Sequence, residues 1–311
     1  MKNIVVIGGG HGLSTIIRGI KGIDDINIKA IVTVADNGGS TGRLRELYNI
    51  PAVGDIRNVL VAMSDQERIY EELLNYRFKG EKEEDVVGHT VGNLMLTALM
   101  ELNGGSLSLA IKEMGKILRV KGRVFPSTIE RITLYAKYDD GSIGVGEAHI
   151  PNKEKRIVEV YYDHNVYADY DAVKAIKDAD LIIYGIGSLY TSILPNTIIK
   201  EINDALNESK AKKIYFANCM TQKGETYHYD LKDHLKALAL HNTPVDLVIK
   251  HSDTIPEYIR DRYTAEDSEE VIDHHNTGVK VIERDLLDFS NNNVRHSPSK
   301  IKKVVEELIG D

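Results

Sequence analysis

Six glycine- and hydroxyl-rich segments carry most of the residues whose types and spacing could do chemistry. The first, Gly8-Gly9-Gly10-His11-Gly12-Leu13-Ser14, lies between an apolar run and a helical pattern. Glycine lets the backbone approach a phosphate closely, and the unpaired N–H groups that open a helix provide an anion site. Gly9, Gly10, His11, Gly12 and Ser14 are therefore candidate ligand contacts. The segment departs from the dinucleotide fingerprint: counted as G-x-G-x-x-G from Gly8 its third glycine is Leu13, and from Gly10 it is Thr15. No Gly-Lys-Ser or Gly-Lys-Thr follows, which excludes a P-loop.

The second segment, Ala35-Asp36-Asn37-Gly38-Gly39-Ser40-Thr41-Gly42-Arg43-Leu44-Arg45, combines backbone donors, two hydroxyls and two guanidiniums, a set suited to phosphate or carboxylate. Asp36 stands where a dinucleotide enzyme keeps the acid that holds the ribose hydroxyls. Asp36, Asn37, Gly39, Ser40, Arg43 and Arg45 are its candidates. In the third, Pro51-Ala52-Val53-Gly54-Asp55-Ile56-Arg57-Asn58, Asp55 is placed as the N-cap of a helix reaching Met63, with Arg57 and Asn58 in its first turn. The fourth, Gly88-His89-Thr90-Val91-Gly92-Asn93, offers the Asn93 amide at a helix start, and His89 reads as a local hydrogen-bonding residue. The fifth, running from Gly185 to Ser192, supplies Gly187, Ser188, Leu189, Thr191 and Ser192 as a second phosphate cradle. The sixth, from Asn218 to Thr226, adds Asn218, while Cys219 has no nucleophile signature and reads as a packed thiol. Thr191 and Thr221 are also candidate phosphorylation sites. Each segment has a bland alternative, such as a ligand-free turn, a surface turn capped by Asp36, or ordinary capping by Asp55.

The elements that must position these residues are legible as alternation. Apolar β-rich runs at 4–7, 28–34, 181–184, 214–216 and 245–249 are separated by helical spacing at 13–20, 56–63, 94–102, 109–118, 172–176, 198–206 and 231–240. That rhythm predicts an α/β fold with a doubly wound, mostly parallel sheet covered on both faces. Residues 123–163 break it with strands at 132–135, 143–145 and 157–161 and a turn at Asp139-Asp140-Gly141, a small β-rich insertion in a single domain spanning 1–311. A closing helix is expected at 299–308. Loops leaving the carboxyl ends of such strands converge on one crevice, here expected to be electropositive and shaped for a diphosphate.

Composition limits the functions. The 311 residues hold 39 Lys+Arg against 47 Asp+Glu, and a net charge of −8 argues against nucleic acid as a partner. One cysteine forms no internal disulfide, and no Cys/His pairing offers a zinc site, so no metal is assigned. No apolar stretch approaches the roughly 18 residues of a membrane span, and the apolar start is too short for a signal peptide. A cytoplasmic protein is expected. The acidic runs at 81–85 and 266–270 and the pair His274-His275 read as solvated surface.

The motifs GGGHGLS, TVADNGGSTGRLR, PAVGDIRN, GHTVGN, GIGSLYTSILPN and NCMTQKGET, in this order, closely resemble the YvcK family of gluconeogenesis factors. That family lies in the CofD-like group, which includes 2-phospho-L-lactate transferase. The likeness runs from Ile4 to Arg295-His296-Ser297-Pro298. It implies a Rossmann-like fold, a cytoplasmic bacterial protein, and a role in cell shape and peptidoglycan precursor supply on gluconeogenic carbon sources. The implied ligand is a UDP-sugar, UDP-N-acetylglucosamine or UDP-glucose. Where relatives commonly read Asp-Asp-Gly-Gly-Ser this chain has Asp36-Asn37-Gly38-Gly39-Ser40, one carboxylate fewer for magnesium. A second departure is Glu225-Thr226-Tyr227-His228-Tyr229, where relatives tend to have a glycine-containing spacer.

Three functions compete. In the first, the chain is a UDP-sugar-binding regulator that passes its state to a regulatory protein partner, as a homodimer or larger homo-oligomer. Many neutral donors without a nucleophile–base pair favour it. In the second it is a CofD-like transferase moving a phospholactyl-type group from a nucleotide diphosphate donor, with Mg²⁺ on Asp36 or Asp55. The third, a nicotinamide oxidoreductase, rests on Asp36 and the first loop alone.

Overall fold

The computed structural model describes residues 1–80, 86–152 and 155–310, and the acidic run expected at 81–85 lies outside the described residues. Strand β1 (Lys2–Gly8) buries Ile4, Val5, Val6 and Ile7 alike. A strand with no polar face belongs inside a sheet covered on both sides. Helix α1 (Gly10–Ile20) then buries Leu13, Ile16, Ile17 and Ile20, one stripe at helical spacing. After β2 (Ile26–Val32) come helices α2 (Gly39–Tyr48), α3 (Gly54–Met63), α4 (Glu67–Asn75), α5 (Val91–Leu102) and α6 (Leu107–Leu118), then β3 (Arg123–Pro126). An antiparallel trio of β4 (Tyr135–Tyr138), β5 (Ile143–Val145) and β6 (Ile157–Tyr161) interrupts the winding.

The winding resumes with α7 (Tyr170–Lys177) and β7 (Leu181–Gly185), then a π-turn at Leu189–Ile193 that runs into the short α8 (Leu194–Thr197). It continues through α9 (Lys200–Glu208), β8 (Lys212–Phe216), α10 (Leu231–Leu240), β9 (Leu247–His251), α11 (Glu257–Ala265) and β10 (Lys280–Arg284). A small antiparallel pair, β11 (Leu287–Asp288) and β12 (Arg295–His296), precedes the closing helix α12 (Pro298–Gly310). Among the described residues no helix is long and apolar enough to cross a membrane.

The main sheet has seven strands in the order β10-β9-β8-β7-β1-β2-β3, and every pairing is parallel. The chain winds outward from β1 through β2 to β3, then returns to β7 on the other side of β1 and winds away to β10. The direction reverses between β1 and β7, and a crevice opens beyond the carboxyl ends of strands at such a switch point.

Some elements differ from expectation. Arg123–Pro126 pairs with β2 as the edge of the main sheet, so the β-rich insertion starts after it rather than at about 123. The strand expected at 132–135 begins only at Tyr135, because Ile132 and Leu134 enter the core as irregular chain. Helices α4 and α11 were not expected: α4 buries Leu74 alone and α11 buries Ile259 alone, too little for an apolar period to show.

Candidate functional site

The glycine loop after β1 meets the loop after β7 at the switch point. A Cβ placed on Gly12 lies 2.0 Å from the Ile186 carbonyl oxygen and 2.9 Å from Gly187 Cα, so only glycine lets the two backbones touch. A Cβ on Gly9 lies 3.4 Å from Ser192 Cβ, which brings the π-turn against the same loop. No side chain caps α1, whose N-cap is Gly9. The first-turn N–H groups beyond Gly10, those of His11 and Gly12, thus remain for an anion. Turns near residues 10 and 190 meet here, as expected of loops leaving the carboxyl ends of β1 and β7.

Asp55 closes that cradle from the side. Contrary to expectation it does not cap α3; the N-cap there is Val53, and Asp55 lies inside the first turn. Its carboxylate leans instead on the start of α1, where a Cβ on Gly9 comes within 2.6 Å of Oδ2, and the Gly10 N–H stabilises its charge. Burial, and then the nearby charge of Asp36, nevertheless push Asp55 up to about 7. Asp36 sits beside α3: its Oδ1 accepts the Gly38 N–H at 2.8 Å, and its Oδ2 lies 3.3 Å from a Cβ placed on Gly54.

Two further carboxylates, absent from the sequence candidates, complete an acidic floor. Glu147 follows β5 and is pushed up to about 8 by burial and by Asp36, Asp55 and Glu225. Glu225 is 4% exposed and accepts Thr191 Oγ1 at 2.9 Å and the Tyr190 N–H at 3.3 Å. Burial raises its pKa as well. The hollow expected to be electropositive therefore has a floor of carboxylates. The glycine before Glu147 marks the close approach that only the structure reveals: a Cβ on Gly146 would strike Asn37 Nδ2 at 2.3 Å. Asn37 Oδ1 accepts the Ala148 N–H at 3.0 Å, so this side chain fastens the insertion to the crevice.

The arginines are placed elsewhere. Arg45 is buried and donates to the carbonyls of Ala35, Asp36 and Ile132, a staple beneath the second loop. Arg57 donates to Thr90 Oγ1 at 2.6 Å, Asn93 Oδ1 at 3.0 Å and Asn58 Oδ1 at 2.6 Å. Asn93 also donates to Ser40 Oγ, which pairs with His89 Nδ1 at 2.9 Å. Arg57, Asn58, Asn93, Ser40 and His89 thus form one connected network at the corner of α2, α3 and α5, with the Arg57 Nε–H left without a partner among the described residues. Arg43 is exposed and reaches the Val87 carbonyl. Gly39 is exposed, and a Cβ on it meets nothing within 4 Å.

With this geometry in place, comparison with known proteins gives the family. A family model described as 2-phospho-L-lactate transferase CofD matches residues 4–287. The chain belongs to the CofD family. Within it, the gluconeogenesis factor of Bacillus subtilis is 40% identical over 313 residues, covering 98% of each chain. The gluconeogenesis factor of Listeria monocytogenes is 41% identical, covering 96% of this chain and 92% of that one. A crystal structure of a UPF0052-family protein from Bacillus halodurans superposes with a TM-score of 0.93 at 39% identity, covering 98% of this chain and 99% of that one.

In this CofD-family chain the crevice continues into a cleft of about 270 Å³ lined by His11, Gly12, Gly187, Asn218, Gln222, Tyr263 and Arg295. Asn218 donates to the Gly187 carbonyl and Gln222 to Ser188 Oγ, yet Asn218 Oδ1 and Gln222 Oε1 are buried acceptors without a partner. Sequence reasoning missed Gln222, Tyr263 and Arg295, which come from three distant segments. Among the remaining candidates, Ser14 returns its hydroxyl to the Gly10 carbonyl, and Leu189 is wholly buried. Thr191 and Thr221 are buried and hydrogen-bonded, which corrects their reading as phosphorylation sites. Cys219 is buried, and its thiol is pushed up to about 12. The run at 266–270, read as solvated surface, in part straps the loop after β8, with Ser268 and Glu269 bonded to Thr221.

Proposed function

We propose that this protein is a UDP-sugar-binding regulator, acting in cell-wall precursor supply and cell shape during gluconeogenic growth. The observation that carries the ligand class is the close contact of Gly12 with Ile186 and Gly187 at an uncapped helix start. That cradle suits a diphosphate approached by backbone donors. The adjoining cleft is sized for a base and ribose, and its unpartnered acceptors on Asn218 and Gln222 suit a heterocycle that donates an N–H, as uracil does. The acidic floor then faces the sugar, whose hydroxyls donate to carboxylates. The names of the relatives, gluconeogenesis factors, support the gluconeogenic part.

A second reading, a CofD-like transferase, is favoured by the family description and by the crowding of Asp36, Asp55 and Glu147. A divalent cation would relieve that crowding. The residues present do not fit one: among the described residues no three His, Cys, Asp or Glu side chains are arranged to hold a metal, and Asn37 is tied to Ala148. Calorimetry with UDP-N-acetylglucosamine, UDP-glucose, GDP, NAD and NADP, with and without Mg²⁺, tests both readings. Magnesium-independent binding of a UDP-sugar without turnover is the expected result. Binding that requires Mg²⁺ and yields a phosphoryl-linked product establishes the transferase instead.

A further inference from the structure

Strand β3 ends the main sheet on the side away from β10. Between it and α6 runs a groove of about 480 Å³ that shares no lining residue with the cleft beside the crevice. Its floor is apolar, made by Val124 and Phe125 of β3, both almost fully buried, with Leu60 of α3. The half-exposed Leu109 of α6 stands at its rim.

Four cations line the groove. Lys112, Lys116 and Arg119 follow one another along one face of α6 and its C-cap, about one helical turn apart. Arg123 joins them from β3, its guanidinium 4.8 Å from the centroid of the Phe125 ring. Among the described residues Lys112, Lys116 and Arg119 make no ion pair, and the one carboxylate on the lining, Asp171, lies 3.3 Å from Arg123. Four cations against one carboxylate are a local excess opposite in sign to the whole chain, whose net charge is −8.

Helix electrostatics does not account for this row. The dipole at the carboxyl end of α6 favours Lys116 and Arg119, but not Lys112 in mid-helix or Arg123 on a strand. Like charges one turn apart oppose each other within a helix. Arg119 also takes the left-handed conformation, with φ 50°, at a C-cap where glycine is usual. The row is held against the stability of α6, and facing carboxylates would relieve it.

We propose that this groove docks an acidic, amphipathic segment of a partner protein. Its carboxylates, about 5–6 Å apart, meet Lys112, Lys116 and Arg119, and its apolar side chains cover Val124 and Phe125. Charge complementarity selects this occupant. A nucleic acid would match the cations but leave the apolar floor uncovered, and the net negative charge repels a long polyanion. A bilayer is too flat to reach a floor recessed between a helix and a strand. The groove follows α6 from Ser108 to Arg119, about 16 Å, so a short segment fills it and binds with micromolar, salt-sensitive affinity. Because groove and cleft are separate, the inference stands whether or not a UDP-sugar binds.

A phage-displayed library of random peptides of about 12 residues, panned on the full chain, supplies the probe. Enriched peptides should carry Asp or Glu beside Leu or Phe; no enrichment, or enrichment without acidic bias, overturns the proposal. Fluorescence anisotropy then compares one enriched peptide on the parent and on Lys112→Gln with Lys116→Gln and Arg119→Gln. Affinity should fall at least about tenfold at an unchanged melting temperature, and equal affinity overturns the proposal. The same three positions changed to Glu should bind the peptide whose acids are exchanged for lysine, a peptide the parent refuses. Competition by duplex DNA or by phosphatidylglycerol vesicles as effective as the unlabelled peptide would make the groove a general polyanion site and overturn the proposal. Self-association of the parent that the Gln variant abolishes would assign the groove to a second copy and overturn it as well.

Discussion

The corner of α2, α3 and α5 and the floor of the crevice lie side by side, yet they treat buried polarity in opposite ways. At the corner, the Arg57 guanidinium meets Thr90, Asn93 and Asn58, and Ser40 meets His89 and Asn93. On the floor, Asp36, Asp55, Glu147 and Glu225 face one another, and burial with like charge raises Asp55 to about 7 and Glu147 to about 8. The corner pairs its buried polar groups with one another, only the Arg57 Nε–H lacking a partner among the described residues; the floor sets like charges together. Folding tolerates such tension where a ligand resolves it, so the floor reads as binding surface and the corner as framework.

The largest effect should come from breaking the framework. Arg57→Ala leaves the side chains of Asn93, Thr90 and Asn58 short of their buried cation and is expected to cost about 3 kcal/mol. Thermal unfolding measures this, and a loss below about 1 kcal/mol would move Arg57 from framework to ligand site. Next comes the cradle. Gly12→Ala forces a Cβ toward the Ile186 carbonyl, so the loops must part. Affinity for a UDP-sugar should fall at least about tenfold, with a stability loss of about 1–3 kcal/mol. Stability loss with full affinity would show that the contact is packing alone.

Asp55→Asn sharpens the comparison with the opposite sign. The folded-state pKa is raised above the ordinary carboxylate value, so the protonated form is the better folded one. Between about pH 4 and 7 the unfolded carboxyl ionises while the folded one resists, and stability declines across that window. The asparagine variant should therefore be more stable than the parent by up to about 4 kcal/mol at pH 8, and close to it near pH 4. By the same sign, a diphosphate should bind the parent more tightly at pH 6 than at pH 9, and the variant with a flatter profile. Denaturant unfolding and calorimetry across pH check both expectations.

Much of this was legible in the sequence, for definable reasons. The strands of the main sheet are buried on both faces, so β1, β7 and β8 carry unbroken apolar runs and β2 one interrupted only by Lys29, and the glycine loops at their ends follow from the fold. The convergence of residues near 10 and 190 followed in turn. The roles of individual charges did not. Arg45 and Arg57 stand in sequence segments that look like ligand clamps, and only the structure shows that they lie on α2 and α3 with carbonyls, a hydroxyl and amides already occupying them. Glu147 was hidden because it belongs to the insertion, where periodicity gives no hint that Asn37 draws the turn over the crevice.

Arg43 is the smallest test, and it sits on the boundary between the two regions. It belongs to α2, whose buried neighbours Ser40 and Arg45 serve the corner and the staple, but its own side chain is exposed and bonded to a carbonyl of the loop before α5. An exposed guanidinium bound to one carbonyl contributes little to folding, so Arg43→Ala should change stability by less than about 0.5 kcal/mol. If the residue turns to a ligand phosphate, the same variant weakens UDP-sugar binding several-fold, mainly at low ionic strength where an exposed charge acts furthest. Calorimetry at two salt concentrations separates the outcomes. Unchanged affinity at both places Arg43 with the framework, and leaves the crevice to bind its diphosphate through backbone donors alone.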